Sequence, residues 1–311
     1  MLYSAARRAA LYFFHHRIMQ KLPHVFLVTS FVLAALFSIG WSFSHSEEHV
    51  RIAYAKPLFV IAGEVTPTPT AQAWLLFDLE TGEVFAEKDT DRVLPIASVS
   101  KLMTALVAYT AFDLDATMTV TKEHIATEGR AGRLKEGDVL SVRELLFPLL
   151  LESSNDAAEV LVRTGCDTRS ACIDTLNARA HTLNLTRTHF EDPSGLSPQN
   201  VSSASDLALL LRHLYAHERH LLDITTLAHY IGETHTWLNN DPVVQEEGYL
   251  GGKHGFTPEA GRTFAGIFMQ TLADGKERPI GIVLLASDTI PKDVASLRAF
   301  VRESVSYTNQ N

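Results

Sequence analysis

Residues 95–104 read PIASVSKLMT, and this stretch opens the first predicted helix. Pro95 ends any regular element before it, because its ring fixes φ and it has no backbone N–H. Apolar residues then recur at helical spacing: Leu102, Ala105, Leu106 and Tyr109. This period predicts a helix over Ser98–Ala111, with Ser98 and Lys101 on one face at its start.

Ser98 and Lys101 are a candidate nucleophile and base. A serine hydroxyl attacks poorly until a base removes its proton, and a neutral lysine amine one turn away can do this. The reference pKa of lysine is about 10.4, so this needs a decrease of about three units, or roughly 4 kcal/mol. Burial and a nearby cation can supply it. The motif alone is weak, because many chains contain it by chance.

A second motif, Ser153-Ser154-Asn155, follows the apolar run Leu145–Leu151. A hydroxyl and an amide two residues apart can both face a cleft from a turn. Helix capping is the alternative, since serine and asparagine often precede helices such as the one predicted over Ala157–Val162.

A third motif lies in residues 251–257, which read GGKHGFT. Lys253 and Gly255 on an edge strand would offer a cation and close backbone approach. An ordinary glycine-rich turn is the alternative, because residues 135–137, KEG, have the same spacing.

Strand patterns lie at both ends of the domain and helical patterns lie between them. The predicted strands are Ala73–Leu79, Glu83–Lys88, Thr263–Met269 and Ile280–Ala286. A capping box at Ser141–Glu144, a helix start at Ser203 and a last helix over Lys292–Glu303 complete the pattern. This order predicts an α/β (α+β) fold, in which an antiparallel sheet built from both ends is flanked by helices.

The amino terminus resembles a membrane anchor. Residues 1–21 contain basic side chains and no acid, and residues 22–46 contain no charge. The positive-inside rule places the basic flank in the cytoplasm and the rest outside. We therefore expect a cytoplasmic terminus and anchor over 1–46, a linker over 47–70 and a globular domain over 71–308. A cleaved signal peptide is the alternative for the first segment.

Composition excludes some partners and leaves the cysteines open. The formal net charge of -9 argues against nucleic-acid binding, which needs a basic face. Cys166 and Cys172 could form a disulfide outside the cytoplasm, or remain free thiols. His213 and His217 are four residues apart, but no further ligand motif supports a metal site, and we expect no cofactor.

The three motifs occur together in an order that resembles the serine D-alanyl-D-alanine carboxypeptidases, the low-molecular-weight penicillin-binding proteins of peptidase family S11. The resemblance extends from Ala71 to the last helix. The flanking segments FDLETGEV (77–84), PIAS (95–98), LKEGD (134–138), NDAA (155–158), DPSGL (192–196) and GRTF (261–264) also resemble the family. It implies a β-lactamase/transpeptidase-like fold with a helical subdomain.

The resemblance also implies a role for each motif. Ser98 would form an acyl-enzyme, Lys101 would be the base, and Ser153 would pass the proton to the leaving D-alanine. The predicted substrate-binding residues are Asn155, Lys253, His254, Gly255 and Phe256. Among these, the backbone N–H of Phe256 would share an oxyanion hole with that of Ser98. Peptidoglycan stem peptides would be the substrates and β-lactams covalent inhibitors, outside the cell membrane.

His254 departs from the family pattern, which has Thr or Ser between the lysine and the glycine. A hydroxyl there would bind the terminal carboxylate of the substrate, whereas an imidazole is larger and depends on pH. Two alternatives stay open: a β-lactamase or peptidoglycan endopeptidase of the same fold, and a non-catalytic peptidoglycan-binding homologue.

Overall fold

A five-stranded antiparallel sheet forms the centre of the computed structural model, which describes residues 58–63, 66–129 and 131–308. The strands are β1 (Phe59–Ile61), β2 (Ala73–Asp78), β3 (Val84–Lys88), β4 (Leu94–Pro95), β5 (Thr117–Thr119), β6 (Val139–Ser141), β7 (Val201–Ser202), β8 (His229–Ile231), β9 (Thr236–Leu238), β10 (Tyr249–Thr257), β11 (Gly261–Thr271), β12 (Glu277–Ser287) and β13 (Val305–Tyr307). The helices are α1 (Lys101–Ala111), α2 (Val142–Leu151), α3 (Asn155–Thr164), α4 (Arg169–Thr182), α5 (Ala204–His217), α6 (Arg219–Thr226) and α7 (Ile290–Ser304). The central order is β10-β11-β12-β2-β3, so the predicted sheet from both ends of the domain is confirmed.

Both faces of this sheet are covered. All six residues of β2 are buried, and its side chains alternate between two apolar clusters. Leu75 and Phe77 pack in the cluster that contains α1, α2 and α5, whereas Trp74 and Leu76 pack in the cluster that contains α7. The helices between the two groups of strands therefore form the subdomain on one face, and the last helix covers the other.

The sequence signals for helix starts are largely confirmed. Ser141 caps α2, where its hydroxyl accepts from the Glu144 N–H and the Glu144 carboxylate accepts from the Ser141 N–H, each at 3.1 Å. Ser203 caps α5 in the same manner from its side chain. The helix predicted from Ser98 begins later, because residues 97–100 form a 3₁₀ turn that leads into α1.

The predicted linker over 47–70 is too long at its C-terminal end. Strand β1, within that range, pairs with β13 and buries Phe59. Thr70 donates from its hydroxyl to Asp293 of α7 at 2.7 Å. These contacts place residues 58–61 in the folded unit, because the strand pairing lets Phe59 bury its ring against Phe85 and Tyr307.

The predicted anchor over 22–46 lies outside the described residues. Within the described ranges, no helix is long and apolar enough to span a bilayer. The cysteines do lie in described segments, where Cys166 and Cys172 form a disulfide with 5.6 Å between their Cα atoms. Of the two alternatives for the cysteines, the structure contains the bridge, which links the end of α3 to the first turn of α4.

We expect Ser141→Ala to destabilise the domain by about 1 kcal/mol, because it removes the hydroxyl that caps α2. Thermal unfolding would measure the loss. Ser170→Ala, at an exposed position in the first turn of α4, is the control and should change stability little. Equal midpoints for the two variants would contradict the capping role.

Candidate active site

Ser98 lies half-buried in the 3₁₀ turn, directly after a strained residue. Ala97 has φ of 47°, which a non-glycine residue adopts only when its surroundings hold it there. The Ser100 hydroxyl donates to the Ala97 carbonyl at 2.8 Å, and the Asn200 amide donates to Ser100 at 3.0 Å. These bonds hold the turn that presents the Ser98 hydroxyl.

The Lys101 amine is fully buried and contacts three acceptor atoms. Its Nζ lies 2.8 Å from Asn155 Oδ1, 2.7 Å from the Ser194 carbonyl oxygen and 3.0 Å from Ser98 Oγ. A neutral amine has two N–H bonds and one lone pair. The amide oxygen and the carbonyl oxygen can only accept, so they take both N–H bonds. The lone pair is then left for the proton of the Ser98 hydroxyl.

The electrostatic environment favours the neutral form of Lys101. Burial lowers the pKa of Lys101 well below its ordinary value, the charge of Lys253 lowers it further, and Asp192 opposes them. Burial also lowers the pKa of Lys253, to about 8, against the attraction of Asp241. Both causes that the sequence analysis required for a lysine base, burial and a second cation, are therefore present.

Both the oxygen and the nitrogen of the Asn155 amide group form hydrogen bonds. Its Nδ2 donates to the carbonyls of Glu128 at 2.9 Å and Gly129 at 3.3 Å, which directs Oδ1 towards Lys101. The cap of α3 is Ser154, whose hydroxyl accepts from the Ala157 N–H at 3.1 Å. The motif therefore does cap α3, through Ser154, whereas Asn155 is not the cap. The amide orients the lysine, and its predicted contact with substrate stays a prediction.

Ser153 occupies the turn between α2 and α3. Its φ is 60°, in the left-handed region, and its side chain is half-buried. Ser153 thus shares with Ala97, the neighbour of Ser98, a positive φ that a non-glycine residue adopts only when its surroundings hold it there. The proton-relay role of Ser153 remains a prediction.

The loop around Asp192 is a part of the site to which sequence reasoning assigned no function. The Asp192 carboxylate accepts from the N–H groups of Ser194 and Gly195 at 2.7 Å and Ser197 at 2.6 Å. This closure aims the Ser194 carbonyl at Lys101. Gly195 has φ of 85°, and a Cβ there would lie 1.9 Å from the Ala97 oxygen. The segment was visible as part of the family resemblance, but only the fold reveals its contact with the lysine.

Strand β10 brings the third motif beside Ser98 at the edge of the sheet. A Cβ at Gly255 would lie 2.6 Å from the Ser98 backbone nitrogen, so only glycine permits this approach. The Thr263 hydroxyl donates to the Ile96 carbonyl at 2.9 Å and joins the neighbouring strand to the same turn. Phe256, the next residue along β10, has 60% of its surface exposed.

The side chains of Lys253 and His254 leave β10 on opposite faces of the sheet. Lys253 pairs with Ala265, which belongs to the cluster on the α1 side, and His254 pairs with Phe264, which belongs to the α7 side. The Lys253 amine donates to the His254 carbonyl at 2.8 Å. His254 instead contacts Asp241, with 3.4 Å between Nδ1 and Oδ2. His254, which was predicted to bind the substrate, thus already contacts a carboxylate of the protein.

The two histidines considered as metal ligands lie close together on one helix. His213 and His217 lie on α5 with ring centroids 5.0 Å apart, whereas His220 lies on α6 and stacks on Tyr109. In the part of the chain that the structure describes, no group of three potential ligands could hold a metal ion.

Sequence comparisons extend the resemblance. The family model for D-alanyl-D-alanine carboxypeptidases of peptidase family S11 matches residues 62–288. The D-alanyl-D-alanine carboxypeptidase DacB2 of Mycobacterium tuberculosis is 35% identical over 214 residues, which are 66% of this chain and 73% of that protein. A D-alanyl-D-alanine endopeptidase of Pseudomonas aeruginosa is 37% identical over 139 residues, and the match spans only 45% of its length.

Solved structures share the fold. A D-alanyl-D-alanine carboxypeptidase from M. tuberculosis H37Rv superposes with a TM-score of 0.71 at 28% identity, and the match covers 80% of this chain and 99% of that one. The β-lactamase/transpeptidase-like architecture expected from the sequence is therefore confirmed.

We expect Asn155→Asp to slow acylation of Ser98 by a fluorescent penicillin about tenfold or more at pH 7. A carboxylate beside Lys101 raises the pKa of the amine by about one to three units, so less of it is neutral at a given pH. The rise of the acylation rate with pH should therefore move to higher pH.

Asn155→Ala is the matched control, because it removes the same contacts without adding a charge. Its rate should not recover at higher pH in the way that the aspartate variant recovers. An unchanged profile for Asn155→Asp would show that Lys101 does not act as the base.

Proposed function

The chain belongs to the S11 family of serine D-alanyl-D-alanine carboxypeptidases, and from this premise we propose that it removes the terminal D-alanine of peptidoglycan stem peptides through an acyl-enzyme on Ser98. One observation carries the proposal. The buried Lys101 amine, with both N–H bonds accounted for, lies 3.0 Å from the Ser98 hydroxyl. This is the geometry of a base and its nucleophile.

Acylation begins when Ser98 Oγ attacks the carbonyl carbon of the penultimate D-alanine. The hydroxyl proton moves to Lys101 Nζ as the C–O bond forms. The negative charge on the carbonyl oxygen would be stabilised by the backbone N–H groups of Ser98 and Phe256. The peptide C–N bond then breaks as Ser153 gives its hydroxyl proton to the departing amine and takes the proton that Lys101 received from Ser98. Lys101 is neutral again when free D-alanine leaves.

Deacylation repeats these steps with water. Lys101, neutral again, takes a proton from the water that attacks the ester carbonyl. The Ser98 oxygen leaves and regains a proton, and the shortened peptide is released. Lys253 remains largely protonated near neutral pH, because its pKa is about 8, and it would attract the anionic end of the substrate. Its charge also keeps Lys101 neutral.

An endopeptidase is the second candidate, because one relative at 37% identity carries that name. The acyl-enzyme is the same, but the leaving group is the amine of a cross-linked peptide instead of free D-alanine. Product analysis with a linear pentapeptide and a cross-linked dimer separates the two reactions. Release of D-alanine from the pentapeptide, without cleavage of the cross-linked dimer, would favour the carboxypeptidase.

We further propose that the folded domain, which begins near residue 58, works outside the cell membrane, held by the segment 22–46. The support is the basic flank before an uncharged apolar segment. A disulfide in the domain is compatible with an oxidising compartment. Fractionation tests the tether, and a mature form that begins near His45 would identify a cleaved signal peptide instead.

Ser98→Ala should abolish covalent labelling by a fluorescent penicillin and release of D-alanine, while thermal unfolding stays close to that of the wild type. The alanine removes the only group that forms the ester and leaves the backbone turn intact. Mass spectrometry of the labelled wild-type protein should place the adduct on Ser98. Labelling that persists in the variant would end the assignment.

A further inference from the structure

A surface pocket of about 320 Å³ lies at the edge strand β10, on the α7 side of the sheet. His254, Gly255 and Phe256 of β10 line one wall, and Arg262 of β11 and the start of α7 line others. Gly255 also approaches the Ser98 backbone nitrogen. Gly255 is therefore shared by the pocket and by the contact with the turn that carries Ser98, and the pocket has a histidine in its wall.

The Asp241 carboxylate contacts His254 and two other groups. Its Oδ1 accepts from the Val243 N–H at 3.0 Å, and its Oδ2 lies 3.4 Å from His254 Nδ1 and 3.5 Å from the Tyr249 hydroxyl. Burial raises the pKa of Tyr249 well above its ordinary value, so its hydroxyl stays protonated and can donate. Every neighbour of the Asp241 carboxylate is thus a donor.

The contact with Asp241 determines which nitrogen of His254 carries the proton. Burial raises the pKa of the Asp241 carboxyl, but the bond and charge of His254, the charge of Lys253 and the Val243 N–H outweigh burial, and the pKa falls below its ordinary value. An ionised carboxylate only accepts, so Nδ1 must be the protonated nitrogen. In the neutral ring Nε2 then bears a lone pair, which repels a carboxylate.

The charged groups around His254 keep the ring neutral at neutral pH. Burial lowers the pKa of His254, the charge of Lys253 lowers it further, Lys101 would do so only in its protonated form, and Asp241 opposes them. Two further charged residues, Arg262 and Asp288, line the pocket that the ring faces. A proton on Nε2 would convert the ring from a repelling group into a donor.

We propose that Asp241 is a positioning residue that fixes the tautomer of His254, so that peptides ending in a free carboxylate bind best when His254 is protonated. The proposal rests on the carboxypeptidase function proposed above and adds a preference for substrates with a free terminal carboxylate. A carboxylate that binds at Nε2 must bring a proton with it. The preference for a free terminus over a blocked one should therefore grow as the pH falls.

The Asp241→Asn variant tests which nitrogen of His254 is protonated, because it replaces one carboxylate oxygen with an NH₂ group. The Val243 N–H still needs an acceptor, so the amide oxygen should keep the place of Oδ1. The NH₂ group then faces His254 and donates to Nδ1, which forces the proton onto Nε2. The neutral ring of this variant can bind a carboxylate at any pH.

The first measurement is the tautomer itself, by nitrogen NMR of histidine-labelled protein. The chain has 14 histidines, so His254→Thr identifies the signal by its loss. We expect Nδ1–H in the wild type and Nε2–H in Asp241→Asn. A wild-type ring protonated on Nε2 would overturn the proposal, and this result does not depend on any enzymatic activity.

The second measurement is the ratio of kcat/KM for a peptide ending in D-Ala-D-Ala to that for the same peptide with a C-terminal amide, from pH 5.5 to 7.5. Titration of Lys101 affects both substrates and cancels in the ratio. The wild-type ratio should fall by about tenfold or more over this range, as expected for loss of a charge-assisted bond. His254→Thr and Asp241→Asn should both give nearly flat profiles.

Tyr249→Phe is the matched control, because it removes a donor to Asp241 but leaves the charge that orients His254. Its ratio should keep the wild-type dependence on pH. A uniform loss of activity in Asp241→Asn, with the wild-type slope retained, would reduce Asp241 to a structural contact and overturn the proposal. Absence of penicillin labelling and D-alanine release in the wild type would instead refute the proposed function, while the NMR result would still stand.

Discussion

Lys101 places a titratable amine in the interior of the domain, where a charge is costly and an unpaired N–H is costly too. The structure meets both constraints at once. Two oxygens that can only accept, from Asn155 and Ser194, satisfy the N–H bonds. The remaining lone pair faces Ser98. A basic, neutral lysine is thus a consequence of burial with the correct partners, and it requires no metal ligand or histidine.

Much of the surrounding structure serves to hold those partners. Asp192 closes a loop on its own backbone N–H groups, and this closure positions the Ser194 carbonyl. The Asn155 amide is held by the carbonyls of residues 128 and 129. Asn200 bonds to both the Asp192 carbonyl and Ser100, so one side chain joins the loop to the turn that carries Ser98. Such networks of fully satisfied polar groups favour one arrangement, because each broken bond leaves a buried group unpaired.

The edge strand β10 divides the charges of the site between two faces of the sheet. Lys253 faces the buried amine of Lys101 and lowers its pKa, whereas His254 faces the pocket and Asp241. Adjacent side chains in a β-strand point to opposite faces of the sheet, so Lys253 and His254 cannot share a face. One short motif can therefore influence the base through one side chain and the ligand pocket through the next.

Local sequence patterns were enough to predict many of the secondary-structure elements and the nucleophile with its base. Apolar period and caps predicted the strands from both ends of the domain and helix starts such as Ser141, and spacing identified Ser98 with Lys101. The contacts of those groups became visible only in the folded chain. Residues 58–61 joined the fold through a strand at the far end of the chain, Ser194 reached Lys101 across 93 positions, and His254 received Asp241 as its partner. Period and caps act over a few residues, whereas a pKa or a tautomer depends on groups that meet only when the chain has folded.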